Sequence, residues 1–201
     1  KGHASILHYV ILEDLGLIRK KDLNDYCKPW GKLGVHPNIK INGINVATGS
    51  LGHGLAIACG MAYAAPNENF FVVISDGELQ EGSTWEAIIT ISSLKLKNLI
   101  LVIDNNDLQS SENMSETHPN IYPIDKKLKH FNWQTKVING HKTSEIFDSI
   151  KNKDKKKPLA IIAKTIKGYP ISFMSGNPIW HYRSPNKNEY TKAIKELKNE
   201  R

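Results

Sequence analysis

The sequence predicts an α/β domain with a mostly parallel, doubly wound sheet and helices on both faces. Three observations carry this expectation. Short runs of β-branched and apolar residues alternate with stretches of helical length along the chain, the pattern of strands joined by crossover helices. The runs FFVVIS (Phe70 to Ser75), LILVID (Leu99 to Asp104) and LAIIAKT (Leu159 to Thr165) are continuous rather than alternating, which is how strands buried on both faces read. A length of 201 residues is enough for one well-buried domain and short for two, so residues 1–201 are expected to form one.

Taken in order, a first helix is expected near His3 to Leu15 and a second near Gly52 to Ala65. The second lies in a stretch between Lys40 and Glu68 that carries no charge. Its Gly, Ala, Asn, Ser and Thr residues, ended by Pro66, are too small and polar for a membrane span and suit a helix packed closely on its neighbours. The strand Phe70 to Ser75 follows, then a helix Ser83 to Ser93 whose segment Trp85 to Ile91 reads as core. After the strand Leu99 to Asp104 come a strand Thr135 to Asn139, a helix Thr143 to Lys151 and the strand Leu159 to Thr165. The last helix, Asn188 to Lys198, has an N-cap at Asn186 with Glu189 three residues on, a capping-box arrangement.

Composition narrows the function. Apolar residues at 40% and charged residues at 23% are ordinary for a globular protein. The formal charge of +7 is concentrated most in Lys151 to Lys157 (KNKDKKK), which reads as a solvated helix end without interleaved aromatics and argues against nucleic acid. Phosphorylated substrates would suit the same positive excess. Cys27 and Cys59 lie far apart in no metal-binding spacing, so they read as reduced thiols of a cytoplasmic protein. No membrane partner is expected.

In a doubly wound sheet, ligands bind at the carboxyl ends of the strands. Two strands here end in polar clusters, Ser75-Asp76-Gly77-Glu78 and Asp104-Asn105-Asn106-Asp107. Asp and Asn at strand ends are more often turn formers and caps than metal ligands. One carboxylate, one amide oxygen and one backbone carbonyl would nonetheless supply half the shell of a hard cation such as Mg2+, with a bound diphosphate supplying most of the rest. Gly77 would let the backbone approach the phosphates.

SDGELQEGSTWEA (Ser75 to Ala87) followed by IDNNDLQ (Ile103 to Gln109) resembles the thiamine-diphosphate motif of the transketolase family, with Asp76 and Asn106 thirty residues apart. Four more segments resemble the family in the same order: KGHASILHY (Lys1 to Tyr9), VHPN (Val35 to Asn38), ATGSLGHG (Ala47 to Gly54) and KTIKGYPISFMSGNPIWHYRSP (Lys164 to Pro185). The resemblance implies the thiamine-diphosphate-binding fold. It implies that Mg2+ is held by Asp76, the side chain of Asn106 and the backbone oxygen of Leu108. Gly49, Ser50, Leu51, Gly77 and Asn106 would then contact the cofactor, and His3, His36 and His181 would line the reacting end of the sugar. Glu81 would lie near a dimer interface. His8, His53, His118, His130 and His141 gain no role from the pattern.

By the same resemblance the enzyme transfers a two-carbon ketol unit between sugars or sugar phosphates, the cofactor doing the covalent chemistry while the protein positions and polarises. The glutamate that activates the aminopyrimidine ring comes, in this family, from a pyrimidine-binding domain across a subunit interface, and residues 1–201 are not expected to include one. A partner chain or domain is therefore expected, in a dimer or heterotetramer. Alternatives are a subunit of another thiamine-diphosphate-dependent synthase or decarboxylase, or a non-catalytic subunit. Three departures stand out: Ser75 for the first glycine of Gly-Asp-Gly, Val35 for the glycine of GHP, and WHYRSP for the common WHG. In the family another active-site histidine lies upstream of the position matched by Lys1. Ser75 and WHYRSP both resemble separately encoded transketolase-like subunits.

Overall fold

In the computed structural model, which describes residues 1–199, the chain divides its apolar residues between a small N-terminal core and a larger sheet. Helix α1 (Ser5–Asp14) and the short α2 (Lys20–Asn24) fold with the loop that follows them around Tyr9, Leu12, Leu33, Ile41 and Ile44. The sheet region runs α3 (His53–Ala64), β1 (Phe70–Ser75), a 3-10 turn (Asp76–Gln80), α4 (Gly82–Ser93) and β2 (Leu99–Asn105). A two-stranded hairpin of β3 (Leu108–Gln109) and β4 (Glu112–Asn113) comes next, followed by α5 (Met114–Thr117), α6 (Ile124–His130), β5 (Gln134–Asn139), α7 (Thr143–Lys151) and β6 (Leu159–Lys164). A loop containing the 3-10 turn Pro178–His181 leads to α8 (Lys187–Asn199).

The main sheet is parallel throughout, in the order β1-β2-β6-β5. Its register sets Ser75 beside Asp104, Asn105 beside Lys164 and Lys164 beside Asn139. The carboxyl ends of all four strands therefore form one rim, and the polar residues that terminate each apolar run arrive there together.

Helices α3, α4 and α6 cover one face, with Leu55, Ala62, Ile88, Ile91 and Leu128 packed on Ile74, Leu101, Ile103 and Ile162. Burying each such side chain stabilises by about 1.5–3 kcal/mol. On the other face Ile100, Leu159 and Ile161 pack with Ile150 of α7. The inner strands β2 and β6 are thus covered on both sides, as their continuous apolar runs predict. Edge strand β1 is not. Phe71 and Val73 are 57% and 46% exposed, because α7 lies over β5 and β6 and no described element covers β1 on that side. Within α4, Ala87, Ile88 and Ile91 are buried whereas Ile89 is exposed, so the segment expected to be core throughout is amphipathic.

Asn186 Oδ1 accepts the N–H groups of Asn188 and Glu189 at 3.0 Å each, and Glu189 returns a bond to the Asn186 N–H at 2.8 Å. The capping box expected there is present. Helices α2, α5 and α6 and the β3–β4 hairpin were not predicted; α6 buries only Ile124 and Leu128, one i, i+4 pair, too little to show a period. Cys27 and Cys59 are both free. Among the described residues no helix is long and apolar enough to cross a membrane.

Candidate active site

The chain leaves β1 through a turn whose charges are buried. Asp76 is 0% exposed and Glu78 is 4% exposed. A buried carboxylate is tolerated when donors surround it, and both have them. Asp76 accepts the backbone N–H of Gly77 at 3.0 Å and of Asp107 at 2.7 Å, and the Asn105 side-chain N–H at 3.0 Å. Glu78 accepts the N–H of Ser75 at 3.1 Å and of Gly52 at 3.2 Å. Ser75 Oγ accepts the N–H of Glu78 in return, at 3.3 Å. This reciprocal capping box occupies the serine hydroxyl with its own turn. Glu78 also ties the turn to Gly52, the left-handed residue (φ 82°) that opens α3. A Cβ there would fall 2.4 Å from Ser83 Oγ.

The end of β2 closes over this turn. Asp107, at φ 61°, directs its N–H at Asp76 while its carboxylate accepts from Ser115 N–H at 2.8 Å and from Tyr122 Oη at 2.8 Å. Burial, then the hydrogen bond to Asp107, raises the Tyr122 phenol far above its ordinary range, so it stays a donor. Asn106 Oδ1 accepts the Leu108 N–H at 2.9 Å. Burial also pushes the Asp76 carboxyl up, against its three N–H donors. Burial disfavours the charged carboxylate, and a bound cation would offset that cost. Asp76, Asn106 and the Leu108 carbonyl offer only oxygen, the donor set of a hard ion such as Mg2+. Among the described residues no group of three or more His, Cys, Asp or Glu could hold a metal.

The opposite wall comes from the two ends of the chain. Asp104, in register with Ser75, pairs with Lys1 and accepts from Thr165 Oγ1. Burial opposes its ionisation, but Lys1 and Thr165 outweigh that and hold its carboxyl below the usual range. Lys167 Nζ lies 3.1 Å from His181 Nδ1. Burial lowers the pKa of Lys167, with Lys1 adding to the effect. Burial and then Lys167 lower that of His181. His3 is lowered by burial and then by His36, whose ring meets it edge-on at 4.8 Å. A Cβ on Gly49 would fall 3.3 Å from the His36 ring, so glycine lets this loop pass close to the imidazole.

A cleft of about 120 Å3 collects these groups, with His3, Leu51, Gly77, Asn106, Leu108 and His181 among its lining residues. Asp76 lies buried beneath it. His36 and Gly49 reach it through contact with His3 and with each other. Ser50 is exposed and lies outside the lining. Ser75 does line it, and its hydroxyl caps the turn. Larger hollows of about 610 and 630 Å3 lie elsewhere, lined by groups such as Trp85 with Phe131 and Lys32 with Lys40, and gather none of the expected residues. Sequence reasoning missed Lys167, whose only signal was its place in the Lys164 to Pro185 segment, and the part Glu78 plays, signalled by the Ser-x-x-Glu spacing of a capping box.

A parallel sheet with a buried aspartate, an Asp/Asn-rich turn and a cleft along its carboxyl rim has the architecture of an α/β domain that takes its ligand at the strand ends. The family described as "Transketolase, thiamine diphosphate binding domain" matches residues 1–198, and the chain belongs to it. It is similar to an apulose-4-phosphate transketolase subunit from Actinobacillus succinogenes, with 37% identity across 100% of this chain and 74% of that one. It is similar to Homo sapiens transketolase at 36% identity over 98% of this chain, spanning only 32% of the human enzyme. Among solved structures, the transketolase of Campylobacter jejuni superposes with a TM-score of 0.81 at 27% identity, covering 89% of this chain and 30% of that one.

Proposed function

We propose that the chain is the diphosphate-side subunit of a transketolase-type enzyme that moves a two-carbon ketol unit between sugars or sugar phosphates. The carrying observation is the rim cleft, where Asp76, Gly77, Asn106 and Leu108 meet His3 and His181 on a chain that spans most of a relative named as one transketolase subunit. Asp76, the Asn106 side chain and the Leu108 carbonyl hold Mg2+. Gly49, Ser50, Leu51, Gly77 and Asn106 contact the cofactor, Gly77 at its diphosphate, and Lys167 adds a positive charge at the edge of the cleft. When bound, thiamine diphosphate supplies the carbon that takes up and releases the two-carbon fragment. His3 and His181, whose pKa values desolvation lowers, exchange protons with sugar hydroxyls, and His36, in contact with His3, joins them at the reacting end of the sugar.

The formal charge of +7 favours phosphorylated sugars, and the Actinobacillus relative carries apulose-4-phosphate in its name. Residues 1–201 form one domain of an assembly, a dimer or heterotetramer in the cytoplasm, whose pyrimidine-binding partner supplies the group that activates the aminopyrimidine. The test is a coupled ketol-transfer assay with saturating thiamine diphosphate, Mg2+ and a panel of sugar phosphates, run on this chain alone and with the candidate partner. Activity is expected only for the complex. Turnover by the isolated chain that persists after comparison with an Asp76→Ala control would overturn the reading.

A further inference from the structure

The loop that carries Lys167 and His181 departs from β6 at Lys164, and a side chain outside the cleft holds its first residues. His141 follows Gly140 just past the end of β5, and its Nε2 accepts the backbone N–H of Ile166 at 2.8 Å. The imidazole also stacks on Tyr169, ring centroids 4.1 Å apart. It therefore brackets Lys167 from both sides in sequence. Gly140 donates its N–H to the Lys164 carbonyl at 2.7 Å. A Cβ there would fall 2.5 Å from Thr165 Cγ2 and 3.0 Å from Ala163 Cβ, so the backbone at the end of β5 is pressed on the exit of β6 as closely as glycine permits.

The turn that presents His141 is itself anchored. His141 donates its own N–H to Asn139 Oδ1 at 3.0 Å, and Asn139 donates its N–H to Glu145 of α7 at 2.9 Å. Beyond Ile166 the loop closes on itself, with the Tyr169 N–H on the Ile166 carbonyl at 3.2 Å and the Gly176 N–H on the Lys167 carbonyl at 2.8 Å. The Ile166 N–H and the Tyr169 ring thus tie that closed loop to His141 at the neighbouring strand end. An imidazole nitrogen accepts only when unprotonated, which places the ring proton on Nδ1.

We propose that His141 is a positioning residue, whose Nε2 fixes Ile166 and so aims Lys167 and His181 into the cleft. This rests on the reading of the cleft as a thiamine-diphosphate site. His141→Ala removes the acceptor and the stack. His141→Gln places an amide oxygen close to where Nε2 lies and restores the acceptor alone.

Two readouts decide the matter: backbone amide exchange at Ile166, and thiamine diphosphate affinity of the chain assembled with its partner in Mg2+. In His141→Ala, exchange at Ile166 speeds roughly three- to tenfold, the scale of one hydrogen bond, the cofactor dissociation constant rises by about the same factor, and the melting temperature stays near wild type. His141→Gln returns exchange and affinity toward wild type. Unchanged exchange in His141→Ala, or equal losses in both variants, would overturn the proposal. A wild-type assembly that binds no thiamine diphosphate refutes the cofactor reading instead, and exchange at Ile166 in the two variants still decides the role of His141.

Discussion

At the carboxyl end of β1, Asp76 and Glu78 are buried and surrounded by N–H donors, whereas Lys167 and His181 opposite them sit on a loop tied to its neighbours by individual bonds. The contrast follows from charge. A buried carboxylate must be fully satisfied or it destabilises the fold, so the side that gathers negative charge is built into the sheet rim. A half-buried amine such as Lys167 or an exposed imidazole such as His181 needs no such cage and can sit on a loop, where positions adjust to a substrate. One wall is set by folding and the other is aimed by loop contacts.

The largest expected effect lies on the rigid wall. Asp76→Ala should weaken Mg2+-dependent thiamine diphosphate binding by roughly a thousandfold, because removing one partner of a buried charge interaction costs about 3–5 kcal/mol. Calorimetric titration of the assembled complex measures this, and undiminished affinity in the variant or in excess chelator would remove Asp76 from the metal site. On the loop wall, His181→Ala should lower turnover about a hundredfold, at the low end for lost acid–base assistance, with the melting temperature nearly unchanged. A large drop in melting temperature with normal turnover per folded molecule would place His181 on the structural side of the contrast.

The smallest effect separates folding from chemistry within the rigid wall itself. Glu78→Ala leaves the N–H groups of Ser75 and Gly52 without acceptors in a buried setting, for a cost of about 1–3 kcal/mol. Chemical denaturation of the isolated chain should register that loss. Unaltered stability would show that water replaces the carboxylate there, and that the β1 turn is less rigid than its hydrogen bonds imply.

Much of this was legible in order along the chain. FFVVIS, LILVID and LAIIAKT became β1, β2 and β6 because continuous apolar runs have few other ways to be buried, and Asn186 with Glu189 marked the start of α8 through a contact three residues long. The acidic and amide residues that follow β1 and β2 were found for the same local reason. Elements of four to seven residues, such as α5 and α6, escaped because a single turn shows no period. Lys167 escaped because nothing near it in sequence announces a cleft. His141 escaped because its bond to Ile166 spans 25 residues.

The sequence alone determined which residues would form the four strands of the main sheet, where each would stop and which polar groups would stand at those stops, since side-chain periodicity and turn chemistry act over a few residues. Only the tertiary structure decided that β1 keeps one face open, that Glu78 reaches Gly52, and that Lys1, Asp104, Lys167 and His181 meet across one rim. Those outcomes depend on strand order, register and crossover placement, which bring together residues far apart in sequence and which no local pattern encodes.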